Sequence, residues 1–146
     1  MLALQILPSP AQDLVVKYDQ SQILRLPRPV SEIIIGNPTI ADITVQAPDL
    51  LVVTGKTFGI TNVISLDADR NVIMDQQVIV VREEARVVNL QKGSKRESYN
   101  CTPACNPSAV VGDDQAYFDS VVRNGERKIK FSEGSADSGA APGGGQ

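Results

Sequence analysis

The 146 residues carry 14 Lys and Arg against 17 Asp and Glu, a net charge of −3, and no histidine. That balance offers no cationic surface for a nucleic acid; the missing imidazoles remove Ser-His-Asp and Cys-His nucleophiles and the usual His-based metal sites. With 42% hydrophobic and 21% charged residues, three Tyr, three Phe and no Trp, the chain suits one ordinary aliphatic-rich domain with poorly ordered flanks, and it leans to β structure.

Residues 1–12, MLALQILPSPAQ, close an apolar run in Pro, Ser and Ala and are expected to be a signal remnant or a flexible N-terminus. No apolar stretch approaches the roughly 20 residues of a bilayer-spanning helix. Leu14 to Tyr18 and Ile23 to Leu26 alternate apolar and polar residues around Asp19-Gln20-Ser21-Gln22, which predicts a hairpin. Pro27 and Pro29 place the next residues at an edge or in a crossover, because proline lacks the ladder donor. Ser31 to Ile35 resumes as a strand, which Gly36-Asn37-Pro38 breaks.

Ile43 to Val45 and Leu50 to Thr54 follow, divided by Ala47-Pro48-Asp49, and Gly55 to Gly59 reads as a turn bracketed by two glycines. Thr61 to Leu66 and Val72 to Val81 flank Asp67 to Asn71, a strong hairpin turn. About seven short strands with turn chemistry between them predict an all-β fold, a small Ig-like β-sandwich over residues 13–84.

Residues 85–131 are expected to form a C-terminal extension. Ala85 to Leu90 is a candidate strand, Gln91 to Ser98 a charged linker, and Tyr99 to Pro107 holds both cysteines. Asp113 to Asn124 predicts a short helix, with Asp113 as N-cap, Tyr117/Val121 and Phe118/Val122 paired at i, i+4, and Gly125 past the end. Lys128 to Phe131 suggests a terminal strand, and residues 132–146, SEGSADSGAAPGGGQ, a disordered tail.

Three motifs invite chemistry. Gly55-Lys56-Thr57 has the end of a phosphate loop, but Leu50 stands where the first glycine belongs and a strand follows instead of a helix. Asp67, Asp69 and Asn71 open like a calcium loop, yet Val72 and Val78 occupy the positions that need Gly and Glu. Cys101 and Cys105 cannot complete a zinc site without histidine. They form a structural disulfide if the chain is secreted, or a reduced pair if it is cytosolic. No catalytic, cofactor or metal set emerges, so the residues alone reach a β-rich binding or structural module. The apolar stripe of Tyr117, Phe118, Val121 and Val122 is a candidate partner-binding face, with packing back on the domain as the alternative.

The run LRLPRPV at Leu24 to Val30, IGNPTIAD at Ile35 to Asp42, LVVTGKTFGITN at Leu51 to Asn62 and the closing Val78 to Val81 resemble the N-terminal domain of Flp/Tad-type pilus assembly proteins, the domain preceding the outer-membrane secretin. A weaker part-match, TGK..G.T, is also similar to bacterial Ig-like repeats of surface adhesins. The pilus resemblance covers about Asp13 to Arg82. It implies a stand-alone, non-enzymatic periplasmic accessory or docking protein, without the barrel, whose partners are the secretin or other envelope proteins of the pilus or secretion complex. An Ig-like extracellular adhesion or stalk module is the competing expectation.

Overall fold

A computed structural model describes residues 12–137. The expected signal remnant, apart from Gln12, and the end of the expected tail lie outside the described residues. The chain divides after Glu83 into two compact units.

The first unit has seven strands: β1 (Leu14–Lys17), β2 (Ser21–Arg25), β3 (Glu32–Ile35), β4 (Ala41–Ala47), β5 (Leu50–Gly55), β6 (Gly59–Leu66) and β7 (Val72–Val81). They form two sheets, ordered β1-β7-β6-β3 and β2-β5-β4. Strict alternation makes the core. On β5, Leu51 and Val53 are buried; on β6, Thr61, Val63 and Ser65; on β7, Gln76, Val78 and Val80. Because strand side chains alternate between faces, these positions turn to one side. Leu51, Val53, Val63, Val78 and Val80 join Val16, Leu24, Leu26 and Ala41 in a single apolar cluster between the sheets, a sandwich as the periodicity predicts.

The expected β1–β2 hairpin is corrected. β1 pairs in parallel with β7, Leu14 opposite Val78 and Lys17 opposite Val81, whereas β2 pairs antiparallel with β5. The turn that suggested a hairpin carries the chain from one sheet to the other. Asp19 adopts φ 58°, and its N–H donates to the Gly55 carbonyl at 3.0 Å while the Gly55 N–H returns a bond to Gln20. Asp tolerates this left-handed conformation better than most residues. Gly55 thus closes both sheets at one corner, where an added Cβ would stand 2.9 Å from the Lys17 carbonyl oxygen and from Val80 Cγ1.

The Asp67 turn joins β6 to β7 as expected. Asp67 Oδ1 accepts from the backbone of Asp69 at 3.0 Å and Asn71 at 2.9 Å, and Arg70 takes φ 60°. These bonds, led by that from the Asn71 N–H, hold the Asp67 carboxyl below the usual range.

The second unit is a three-stranded meander, ordered β10-β9-β8, followed by one helix. Its strands are β8 (Val87–Lys92), β9 (Lys95–Cys101) and β10 (Cys105–Ser108). The expected linker Gln91 to Ser98 is corrected, because it holds the β8–β9 turn and half of a strand. Its charges are paired within the unit: Lys92 on β8 meets both oxygens of Glu97 on β9 at 3.0–3.1 Å, while Lys95 and Arg96 pair with Asp114 and Asp113. Pro107 lies on edge strand β10, where the missing donor costs least.

Helix α1 runs from Gln115 to Asp137, 23 residues. It passes through Gly125, replaces the expected strand Lys128 to Phe131, and takes up the start of the expected tail. Four residues of alternating pattern do not separate strand from helix. Here the preceding turns already supply the helical nucleus, and Glu, Arg and Lys propagate it despite a cost of about 1 kcal/mol for the internal glycine.

Candidate functional site

The two glycine turns singled out in the sequence meet in the first unit. Gly36 donates to the Asn62 carbonyl at 3.0 Å, and the Asn37 N–H donates to Thr61 Oγ1 at 2.8 Å. Asn37 Oδ1 accepts from both the backbone and the hydroxyl of Thr39. From the other side, the Lys56 N–H donates to the Ile40 carbonyl at 2.8 Å, and Thr57 Oγ1 to the Thr39 carbonyl at 2.8 Å. Residues 36–40 are therefore gripped by Lys56-Thr57 and Thr61-Asn62. At Gly36 a Cβ would fall 2.5 Å from Asn62 Oδ1, so the close approach itself requires glycine. The N–H groups that a phosphate would need at Lys56 and Thr57 are already spent on Ile40.

Beside this clamp an open groove of about 520 Å³ is lined by Asp13, Ile60, Thr61, Asn62, Asp75 and Gln77. Asn62 Nδ2 donates to Asp75 Oδ1 at 3.1 Å, which occupies one of the two carboxylates. Among the described residues no group of three or more His, Cys, Asp and Glu is placed to hold a metal.

In the second unit Cys101 and Cys105 face each other across β9 and β10 and form a disulfide, with Cα atoms 3.9 Å apart. Asp113, expected as N-cap, has another role. Its fully buried carboxylate accepts from Arg96 Nε at 3.1 Å, Ser98 Oγ at 2.6 Å and the Val110 N–H at 3.0 Å. Asp114 caps instead: its Oδ2 lies 3.4 Å from the Tyr117 N–H and its carbonyl begins the helical bonds at Phe118. The one-residue displacement arises because Asp113 is drawn under β9 by Arg96 and Ser98. Sequence reasoning missed this cluster, since Arg96 and Ser98 lie in the stretch read as linker.

The four stripe residues are placed unevenly. Tyr117 donates its hydroxyl to the Ser98 carbonyl at 2.6 Å and sets its ring 5.9 Å from that of Tyr99, so it anchors the helix to its own unit. Burial raises its pKa above the ordinary tyrosine value. Phe118 and Val121 are half-buried, and Val122 is 37% exposed.

Neither a curated protein nor a solved structure matches the chain. Residues 10–81 match the family described as the pilus formation protein N-terminal region, and the match falls on the two-sheet unit.

Proposed function

We propose that the chain is a non-enzymatic accessory or docking protein of the periplasm, serving assembly of a Flp/Tad-type pilus or its secretion machinery through protein contacts. The family match over residues 10–81, which coincides with the two-sheet unit, is the observation that carries this reading. The spent hydrogen bonds of the glycine clamp support it, because they make those turns scaffold and leave binding to strand edges and to the helix. Secretin or another envelope component of the complex is the partner this reading implies. The contact face is Phe118, Val121 and Val122, with Tyr117 contributing its ring while its hydroxyl holds the helix in place.

Affinity capture from a pilus-bearing cell extract tests the reading. The intact chain is expected to recover envelope components of the pilus or secretion complex. Val121→Glu with Val122→Glu should lose them while the melting of the first unit is unchanged. Recovery of no such component, or equal recovery by the double variant, counts against this function or this face respectively. Fractionation should place the chain in the periplasm; cleavage by protease added to intact cells would favour the Ig-like stalk module instead.

A further inference from the structure

Helix α1 is anchored to its unit in its first turn, where Tyr117 bonds Ser98, and every residue from Val122 to Ser135 is exposed. On a helix advancing 100° per residue the charges of this segment separate. Asp119, Glu126 and Glu133 recur at i, i+7, i+14 along one strip. Arg123, Arg127, Lys128 and Lys130 occupy an adjacent arc of about 160° that contains no acid, and Phe131, 73% exposed, sits among them. Between Arg123 and Phe131 four cations stand against one Glu, a local charge of +3 in a chain whose net charge is −3. Arg127, Lys128 and Lys130 join none of the ion pairs among the described residues. Arg123 spends its Nε on the Asp119 carbonyl at 3.2 Å.

We propose that this face of α1 binds an anionic phospholipid surface. Lys and Arg stems lie along the interface with their heads among phosphates, while Phe131 enters the headgroup boundary. The geometry favours lipid over an acidic protein. The cations are long, exposed side chains spread over the convex face of a helix, which suits a fluid array of phosphates better than fixed carboxylates. With one aromatic at its centre, the face predicts peripheral, salt-sensitive adsorption and no insertion. This inference goes beyond the pilus reading and does not depend on it.

Co-sedimentation of the full chain with vesicles tests it. Binding is expected to phosphatidylcholine vesicles containing phosphatidylglycerol and not to phosphatidylcholine alone, and 0.5 M NaCl should weaken it. Arg127→Glu with Lys130→Glu should reduce binding by about tenfold or more, and the neutral pair Arg127→Gln with Lys130→Gln should give a smaller loss. Circular dichroism should show the helix intact in both, since all these positions are exposed. No binding to the anionic vesicles, equal binding to neutral ones, or binding unchanged by charge reversal would overturn the proposal. Retention on immobilised polyglutamate without vesicle binding would do so in favour of an acidic protein.

Discussion

The backbone N–H of Asn37 donates to Thr61 Oγ1 at 2.8 Å, a side-chain cap on a turn that begins 24 residues earlier in the chain. Thr61 is buried and Asn37 exposed, so the bond between them is partly shielded from water. Thr61→Val keeps the β-branched shape and removes only the acceptor. It should destabilise the first unit by about 1–2 kcal/mol in urea unfolding. An unchanged midpoint would mean that water replaces the hydroxyl.

Ser65 presents the converse case. Its Oγ is buried on the core face of β6 with no hydrogen-bond partner among the described residues. Ser65→Ala removes a desolvated hydroxyl and should stabilise the unit by about 1 kcal/mol, raising the melting temperature by about 4–8 °C. A lowered melting temperature would show that the hydroxyl is satisfied after all.

Removing the Asp113 carboxylate should be the most damaging single change in the second unit. It leaves Arg96, Ser98 and the Val110 N–H without their shared acceptor. Asp113→Ala is expected to cost about 3 kcal/mol, with Asp113→Asn between that and wild type. Hydrogen exchange at the β9 amides gives the readout. Asp114→Ala, which removes the cap and the 3.7 Å ion pair with Lys95, should cost about 1 kcal/mol.

Stability should be flat from about pH 5 to pH 9 and fall on both sides. Asp67 and Glu97 have carboxyls depressed in the fold, Asp67 chiefly by the Asn71 N–H and Glu97 by Lys92 and then Tyr99. A depressed carboxyl stabilises above its unfolded value, near pH 4, and that contribution is lost as pH falls through the folded value. Tyr99, raised by its bond to Glu97, and Tyr117, raised by burial, work oppositely. Their contribution is complete below about pH 10 and disappears as pH rises through the folded values. Ultraviolet titration should show two tyrosines ionising late; ionisation of all of them at the free value would contradict the packing around β9.

What the sequence determined by itself was local. The Asp67 turn was legible because its ligands lie within four residues, and the sandwich because period-two alternation names the buried face before any partner is known. For Cys101 and Cys105 the sequence left a disulfide and a reduced pair open, and the meeting of β9 and β10 brings the two sulfurs together as a disulfide. Sheet membership was a tertiary decision. β1 joins β7 across more than 60 residues, in parallel, and the same turn chemistry at Asp19 serves a hairpin or a corner depending on where Gly55 offers its backbone. The helix start shifted from Asp113 to Asp114 for a related reason, because Arg96 and Ser98 claim the first carboxylate from a strand that a charged, linker-like composition concealed. Propensity ranks local conformations within about 1 kcal/mol, and a buried charge with three donors outweighs it.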